Sequence, residues 1–140
     1  MASSKTRTRY STGTSFEKTT GYARAVKVGD HIYVSGTTSA IASGEIVGDG
    51  DPYAQTVQIL QTISTTLTRA GSSLQDVVRY RAYLTRIEDT PEVSRALFEA
   101  FGDIRPANTL IGIQTLADPR MLVEIDADAV IGSSEAEDAE

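Results

Sequence analysis

The chain has 140 residues, 40% of them hydrophobic, a formal charge of −6, no cysteine and one histidine, His31. That length suits a single domain with one core, and the residue usage excludes disulfides, thiolate metal sites, cysteine nucleophiles and multi-histidine metal sites. Four of the acids, Glu135, Glu137, Asp138 and Glu140, close the chain, so the body is near neutral and has no basic nucleic-acid footprint.

In chain order, residues 1–20 read as a polar N-terminal segment. MASSKTRTRYSTGTS lacks the apolar centre of a secretory signal. Its basic, Ser- and Thr-rich composition also suits a transit segment. Alternation of Lys5, Arg7 and Arg9 with Thr6 and Thr8 favours a polar edge strand, with the cytoplasm as the default location. AVKVGDHIYVSGTT predicts a hairpin: Val26 and Val28, a Gly29-Asp30 turn, then Ile32 and Val34 alternating with Tyr33 and Ser35. The Gly-rich stretch TSAIASGEIVGDGD predicts a loop.

Asp51 as N-cap and Pro52 at the first position open a helix. Its expected face is Tyr53, Val57, Leu60, Ile63, Leu67 and Ala70, with Gly71 as the stop. DVVRYRAYLTRI predicts a strand with Val78, Tyr80, Ala82 and Leu84 on one face and Arg79, Arg81, Tyr83 and Thr85 on the other. Thr90 and Pro91 start a second helix through Val93, Leu97 and Ala100, ending near Gly102. Two more strands follow, NTLIGIQTL and MLVEIDADAV, and the short Asp118-Pro119 connection suggests an antiparallel pair. No apolar run is long enough to span a bilayer.

This order predicts an α+β fold with two helices covering one face of a mostly antiparallel or mixed sheet. The strands agree, since each has one apolar and one polar parity. MLVEIDADAV puts Glu124, Asp126 and Asp128 on one face. Arg79 and Arg81 can interleave with these acids, and cross-strand pairing would offset the repulsion by a few tenths to about 1 kcal/mol per pair. That polar face is either wet or buried in an oligomer, and an ion-pair face without chemistry accounts for Asp126 and Asp128.

GYARAVKVGDHIYVSGTT, DPYAQTVQILQTISTTLTRAGSSLQDVVRYRAYLT, FEAFGDIRPANTLIGI and MLVEIDADAV together cover most of residues 21–131. In order and spacing the chain resembles the Rid family (reactive intermediate deaminase, YjgF-type). RPA, then a strand, then VEID, is the most specific part. The resemblance implies a chorismate-mutase-like fold with a six-stranded sheet. It implies a homotrimer whose second sheet faces form a central barrel, with ligand clefts between subunits. It also implies hydrolysis of 2-imino acids to 2-keto acids and ammonia, with no cofactor and no metal. One domain over 1–131 and an acidic, disordered tail over 132–140 are expected.

Residue by residue, Glu124 matches the family glutamate that orients the attacking water, as general base or water anchor. Tyr22 matches the tyrosine that lines the cleft, and Ser35, in YVSGTT, a cleft serine. The departure is at Asn108. Family deaminases carry an arginine directly after RPA, and it clamps the substrate carboxylate. A charge-assisted bond contributes about 1.5–3 kcal/mol against about 1 for a neutral one, so losing the clamp costs ~10–100-fold in binding a 2-imino carboxylate. The chain therefore falls with the subgroups lacking that arginine. Arg95, near the position of a substrate-contacting asparagine, is the first candidate to replace it. Ser94 competes for the same match, and Arg105 and Arg24 are further cations. His31 is a solvated turn histidine.

Two functions compete. One is a Rid-type hydrolase in which Glu124 activates water while Tyr22, Ser35, Arg95 and Asn108 orient a small imine or enamine metabolite. The other is a non-catalytic trimer that binds or protects. A ribonuclease or translation inhibitor is disfavoured by the near-neutral body, the single histidine and the lack of a basic, aromatic stripe.

Overall fold

A computed structural model describes residues 5–139. The first four residues of the basic N-terminal segment and Glu140 of the acidic tail lie outside them. Among the described residues there are six strands and three α-helices. These are β1 (Arg7–Tyr10), α1 (Ser15–Thr20), β2 (Ala25–Val28), β3 (His31–Thr37), α2 (Pro52–Arg69), β4 (Val77–Leu84), α3 (Thr90–Phe101), β5 (Ala107–Gly112) and β6 (Val123–Val130). They form one mixed sheet of order β1-β2-β3-β6-β4-β5. No helix of the described residues is long and apolar enough to cross a membrane.

The N-terminal alternation becomes the polar edge strand β1, antiparallel to β2. The β2–β3 hairpin turns at Gly29 and Asp30, with Gly29 in the left-handed region at φ 58°, where a Cβ would be strained. Asp51 caps α2 by accepting from the Ala54 N–H at 3.0 Å. Ile59, Ile63 and Leu67 bury completely, each contributing about 1.5–3 kcal/mol over an exposed side chain. Lys27 crosses from β2 to donate to the Ala70 carbonyl at 2.8 Å, which satisfies an orphan acceptor at the end of α2. Tyr80 of β4 stacks on Phe101 of α3, ring centroids 4.6 Å apart, joining the sheet to the second long helix.

Four expectations are corrected. There are three α-helices: the six-residue α1 has no apolar period to announce it, and its buried residue is Glu17. Val57 is exposed; the buried side of α2 runs instead through Gln55, Thr56, Ile59, Leu60 and Ile63. In β4 the register slips between Val77 and Arg79, so Val77 is buried and Val78 exposed. This is the result of a β-bulge. Finally, β5 and β6 do not pair. β6 lies between β3 and β4, antiparallel to both, and β5 joins the outer edge of β4 in parallel. A short connection brings two strands near each other, but β6 buries its Val123, Ile125, Ala127 and Ala129 only in the sheet centre.

The charge lattice forms as the parities require. Arg79 faces Asp128, Arg81 faces Asp126 and Tyr83 faces Glu124 across β4 and β6. Arg81 Nε lies 2.9 Å from Asp126 and its terminal nitrogen 3.9 Å from Asp128. The Tyr83 hydroxyl donates to Asp126 at 3.0 Å.

Candidate functional site

Glu124 opens β6 and is half-buried at the floor of a cavity of about 130 Å³ that also takes in Tyr22, Arg24, Gly36 and Met121. Two devices aim it there. The fully buried Gln55 of α2 donates to the carbonyls of Gly48 and Arg120 at 3.1 and 2.8 Å and accepts from the Leu122 N–H at 2.9 Å, so every branch of its amide fixes the approach to β6. On the other side, β3 bulges between Val34 and Thr37 and brings Gly36 against the carboxyl. A Cβ at position 36 would sit 2.9 Å from Glu124 Cδ and Oε2. Burial pushes the Glu124 carboxyl above the ordinary range; nearby Arg24 pulls it back in part, and Asp126 adds to the rise.

Arg24 is the buried cation of this cavity, 5% exposed. One terminal nitrogen donates to the Gly36 carbonyl at 2.6 Å and to Thr37 Oγ1 at 3.1 Å. The other donates to Glu17 Oε2 at 3.4 Å and the Tyr22 hydroxyl at 3.3 Å. Glu17 in turn accepts from Ser11, from Thr12 through both backbone and hydroxyl, and from Thr14. Desolvation raises its pKa, but the hydrogen bonds from Thr12, Ser11 and Thr14 outweigh that and hold it at about 2. The polar N-terminal segment is thus pinned by one carboxylate, and α1 delivers Tyr22 to the cavity through Gly21, whose φ of 86° ends the helix.

Asn108 lies elsewhere. It faces Tyr80 across the parallel β4–β5 ladder, and Tyr80 points to the buried, helix-covered side. Glu124 faces Tyr83 on the opposite side. Asn108 and Glu124 therefore occupy opposite faces of the same sheet. Asn108 lines a separate groove of about 510 Å³ between β5 and α3, together with Ser94, Arg105 and Phe98; Phe98 is 75% exposed. Arg105 adopts φ 54° and lies 3.9 Å from Asp138.

The remaining candidates separate as well. The Ser35 hydroxyl donates to the Ala23 carbonyl at 2.7 Å and is not among the side chains lining the Glu124 cavity. Arg95 lies exposed on α3, paired with Glu92 at 2.8 Å and stacked 3.8 Å over the Tyr53 ring; Ser94, not Arg95, reaches the Asn108 groove. His31 is exposed and stacks on Tyr33. No cluster of side chains among the described residues is suited to a metal ion. What sequence reasoning missed was Glu17, whose signal is only the hydroxyl-rich STGTS run before it, and Gly36, whose signal is a lone glycine inside a strand.

Comparison with known proteins points the same way. Residues 12–131 match the family model described as Endoribonuclease L-PSP. An uncharacterized protein of Streptomyces coelicolor is 36% identical over 125 residues, spanning 89% of this chain and 92% of that one. The 3-aminoacrylate deaminase RutC of Acinetobacter baylyi is 35% identical over 104 residues, 74% of this chain and 82% of that one. Among solved structures, a Mycobacterium tuberculosis member of the YjgF/YER057c/UK114 family superposes with a TM-score of 0.82 at 42% identity, covering 90% of this chain and all of that one.

Proposed function

The chain belongs to the endoribonuclease L-PSP family, the YjgF/Rid group, and from that premise we propose that it hydrolyses a small imine or enamine metabolite at Glu124. The observation that carries this reading is the cavity itself: a half-buried carboxylate of raised pKa, close against Gly36, in a cavity that Tyr22 also lines. A carboxyl whose burial raises its proton affinity is suited to take a proton from water and return it to a leaving group. The Acinetobacter relative is a 3-aminoacrylate deaminase by name, and 3-aminoacrylate is an enamine, one tautomer from an imine.

In the proposed reaction Glu124 takes a proton from water as its oxygen bonds to the C=N carbon. The proton then passes to nitrogen. The C–N bond then breaks as the carbinolamine O–H proton passes, by way of Glu124, to the departing nitrogen, leaving a carbonyl and ammonia. For a protonated substrate, the iminium cation and one water become the carbonyl compound and an ammonium ion, so atoms and charge balance. Tyr22 orients the substrate by hydrogen bonding.

We further propose that the working form is a homotrimer, in the cytoplasm. Glu124 and Asn108 lie on opposite faces of the sheet, so one copy alone cannot present both to a ligand. A second copy that sets its Asn108 groove against the Glu124 cavity can. A 15.0 kDa species in sedimentation would overturn this.

The activity test generates 2-imino acids in place with an amino-acid oxidase and traps what remains with semicarbazide. Wild type is expected to be slow, because Asn108 offers no charge. Asn108→Arg is expected to gain ~10–100-fold, and Glu124→Ala to lose whatever rate remains. A wild-type rate equal to that of an arginine-bearing relative would refute the role of Asn108. Silence in all three would leave a binding trimer as the better account. The ribonuclease reading draws no support from the surface: the body is near neutral and the single histidine lies exposed at the start of β3.

A further inference from the structure

The charges in and around the Glu124 cavity do not suit a 2-imino carboxylate. Among the described residues its lining holds one cation, Arg24. All four terminal N–H groups of that guanidinium are directed to acceptors: the Gly36 carbonyl, Thr37 Oγ1, Glu17 Oε2 and the Tyr22 hydroxyl. Its charge is also matched by Glu17, a 4%-exposed carboxylate that hydrogen bonds hold at a pKa of about 2. A second carboxyl, Glu124, closes the cavity floor. Glu124 lines the cavity and Glu17 stands behind Arg24, outside the lining, so with both ionised two negative charges offset one positive charge whose terminal donors are already engaged.

We infer that this cavity selects the reacting end of an imine or iminium that bears no carboxylate on the C=N carbon itself. This rests on the hydrolase reading above and names its substrate class. A carboxylate entering the cavity meets net repulsion and finds no free bidentate donor. A neutral imine meets neither penalty, and a protonated iminium is attracted. Arg24 then acts as a positioning residue. It fixes the Gly36 carbonyl and the Tyr22 hydroxyl, and it does not clamp substrate.

Binding separates this inference from turnover. The full-length protein, isotopically labelled, is titrated with pyruvate and with neutral pyruvamide, and the backbone amide shifts of Tyr22, Gly36 and Thr37 are followed. Pyruvamide is expected to shift these amides, with pyruvate at least ~10-fold weaker. Glu17→Gln leaves Arg24 uncompensated, and pyruvate is expected to gain at the same amides. If Glu17→Gln does not fold by circular dichroism, Arg24→Gln is the substitute. It removes the cation, and pyruvate is expected to stay weak while pyruvamide also weakens as Tyr22 loosens. Pyruvate binding as tightly as pyruvamide in wild type would overturn the inference. So would pyruvate binding that Arg105→Ala abolishes, since the exposed Arg105 beside Asn108 would then supply the clamp. Absence of pyruvamide shifts at these amides would overturn it too. Failure of the hydrolase reading shows differently, as selective binding with no release of ammonia.

Discussion

The Glu124 cavity and the Asn108 edge are built in opposite ways. Around Glu124 each group is held by several others. Gln55 fixes the start of β6, Arg24 fixes Gly36 and Tyr22, and Glu17 gathers four hydrogen bonds from the segment before α1. Around Asn108 the reverse holds. β5 is an exposed edge strand, Phe98 stands 75% exposed beside it, and the exposed Arg105 lies 3.9 Å from Asp138. One half of the proposed site is preorganised within a chain, and the other is an open surface that a second copy can complete. Preorganisation is where an enzyme places groups that must not move during reaction. An open edge is where substrate choice can vary at little cost to the fold.

The largest expected effect breaks the held half. Glu17→Ala leaves Arg24 with its neutral partners but no countercharge. Leaving a buried charge uncompensated costs about 3–5 kcal/mol, which urea unfolding would measure. The pH dependence follows from the sign of the shift. The folded pKa of Glu17 is about 2, below its ordinary 4.5. The unfolded chain therefore binds the proton more readily. The stabilisation is complete above about pH 5 and is lost as pH falls from about 4.5 toward 2. Wild type should lose stability over that window, and its margin over Glu17→Gln should narrow. An unchanged margin between about pH 7 and about pH 3 would show that Glu17 carries no such load.

A smaller effect separates stability from catalysis within the same half. Gly36→Ala drives a methyl to within 2.9 Å of the Glu124 carboxyl. The end of a glutamate can swing aside, so unfolding should change by less than about 1 kcal/mol. Turnover should fall ~10-fold or more, because a displacement of this size would misplace the water that the carboxyl is proposed to serve. Equal loss of both would mean that Gly36 matters to packing alone.

Local pattern made much of this half legible. The hairpin, the Asp51-Pro52 start of α2, the acid-bearing parity of β6 and its pairing with Arg81 all follow from local periods and caps. Long-range contacts hid the rest. α1 is held because Glu17 reaches Arg24 beyond the end of the helix, and no periodicity encodes that. The slip at Val78 depends on which residues of β6 stand opposite. β5 leaves β6 because the sheet centre rewards the more apolar strand. Asn108 and Glu124 share a family motif but not a sheet face, a fact set by strand order.

The smallest effect tests the edge half. The positional match put Arg95 within reach of the cleft, yet on α3 it pairs with Glu92 and covers the Tyr53 ring at the protein surface. Exposed pairs of this kind contribute little to stability, so Arg95→Ala should leave the unfolding midpoint close to that of wild type. Its effect on turnover is the sharper measure. If the edge half consists of Asn108, Ser94 and Arg105, the rate of Arg95→Ala stays within about twofold of wild type. A larger drop, with stability unchanged, would mean that assembly carries the outer face of α3 to the ligand. The open half would then extend further along that helix than the single chain reveals, and Arg95 would take the place that the missing arginine leaves.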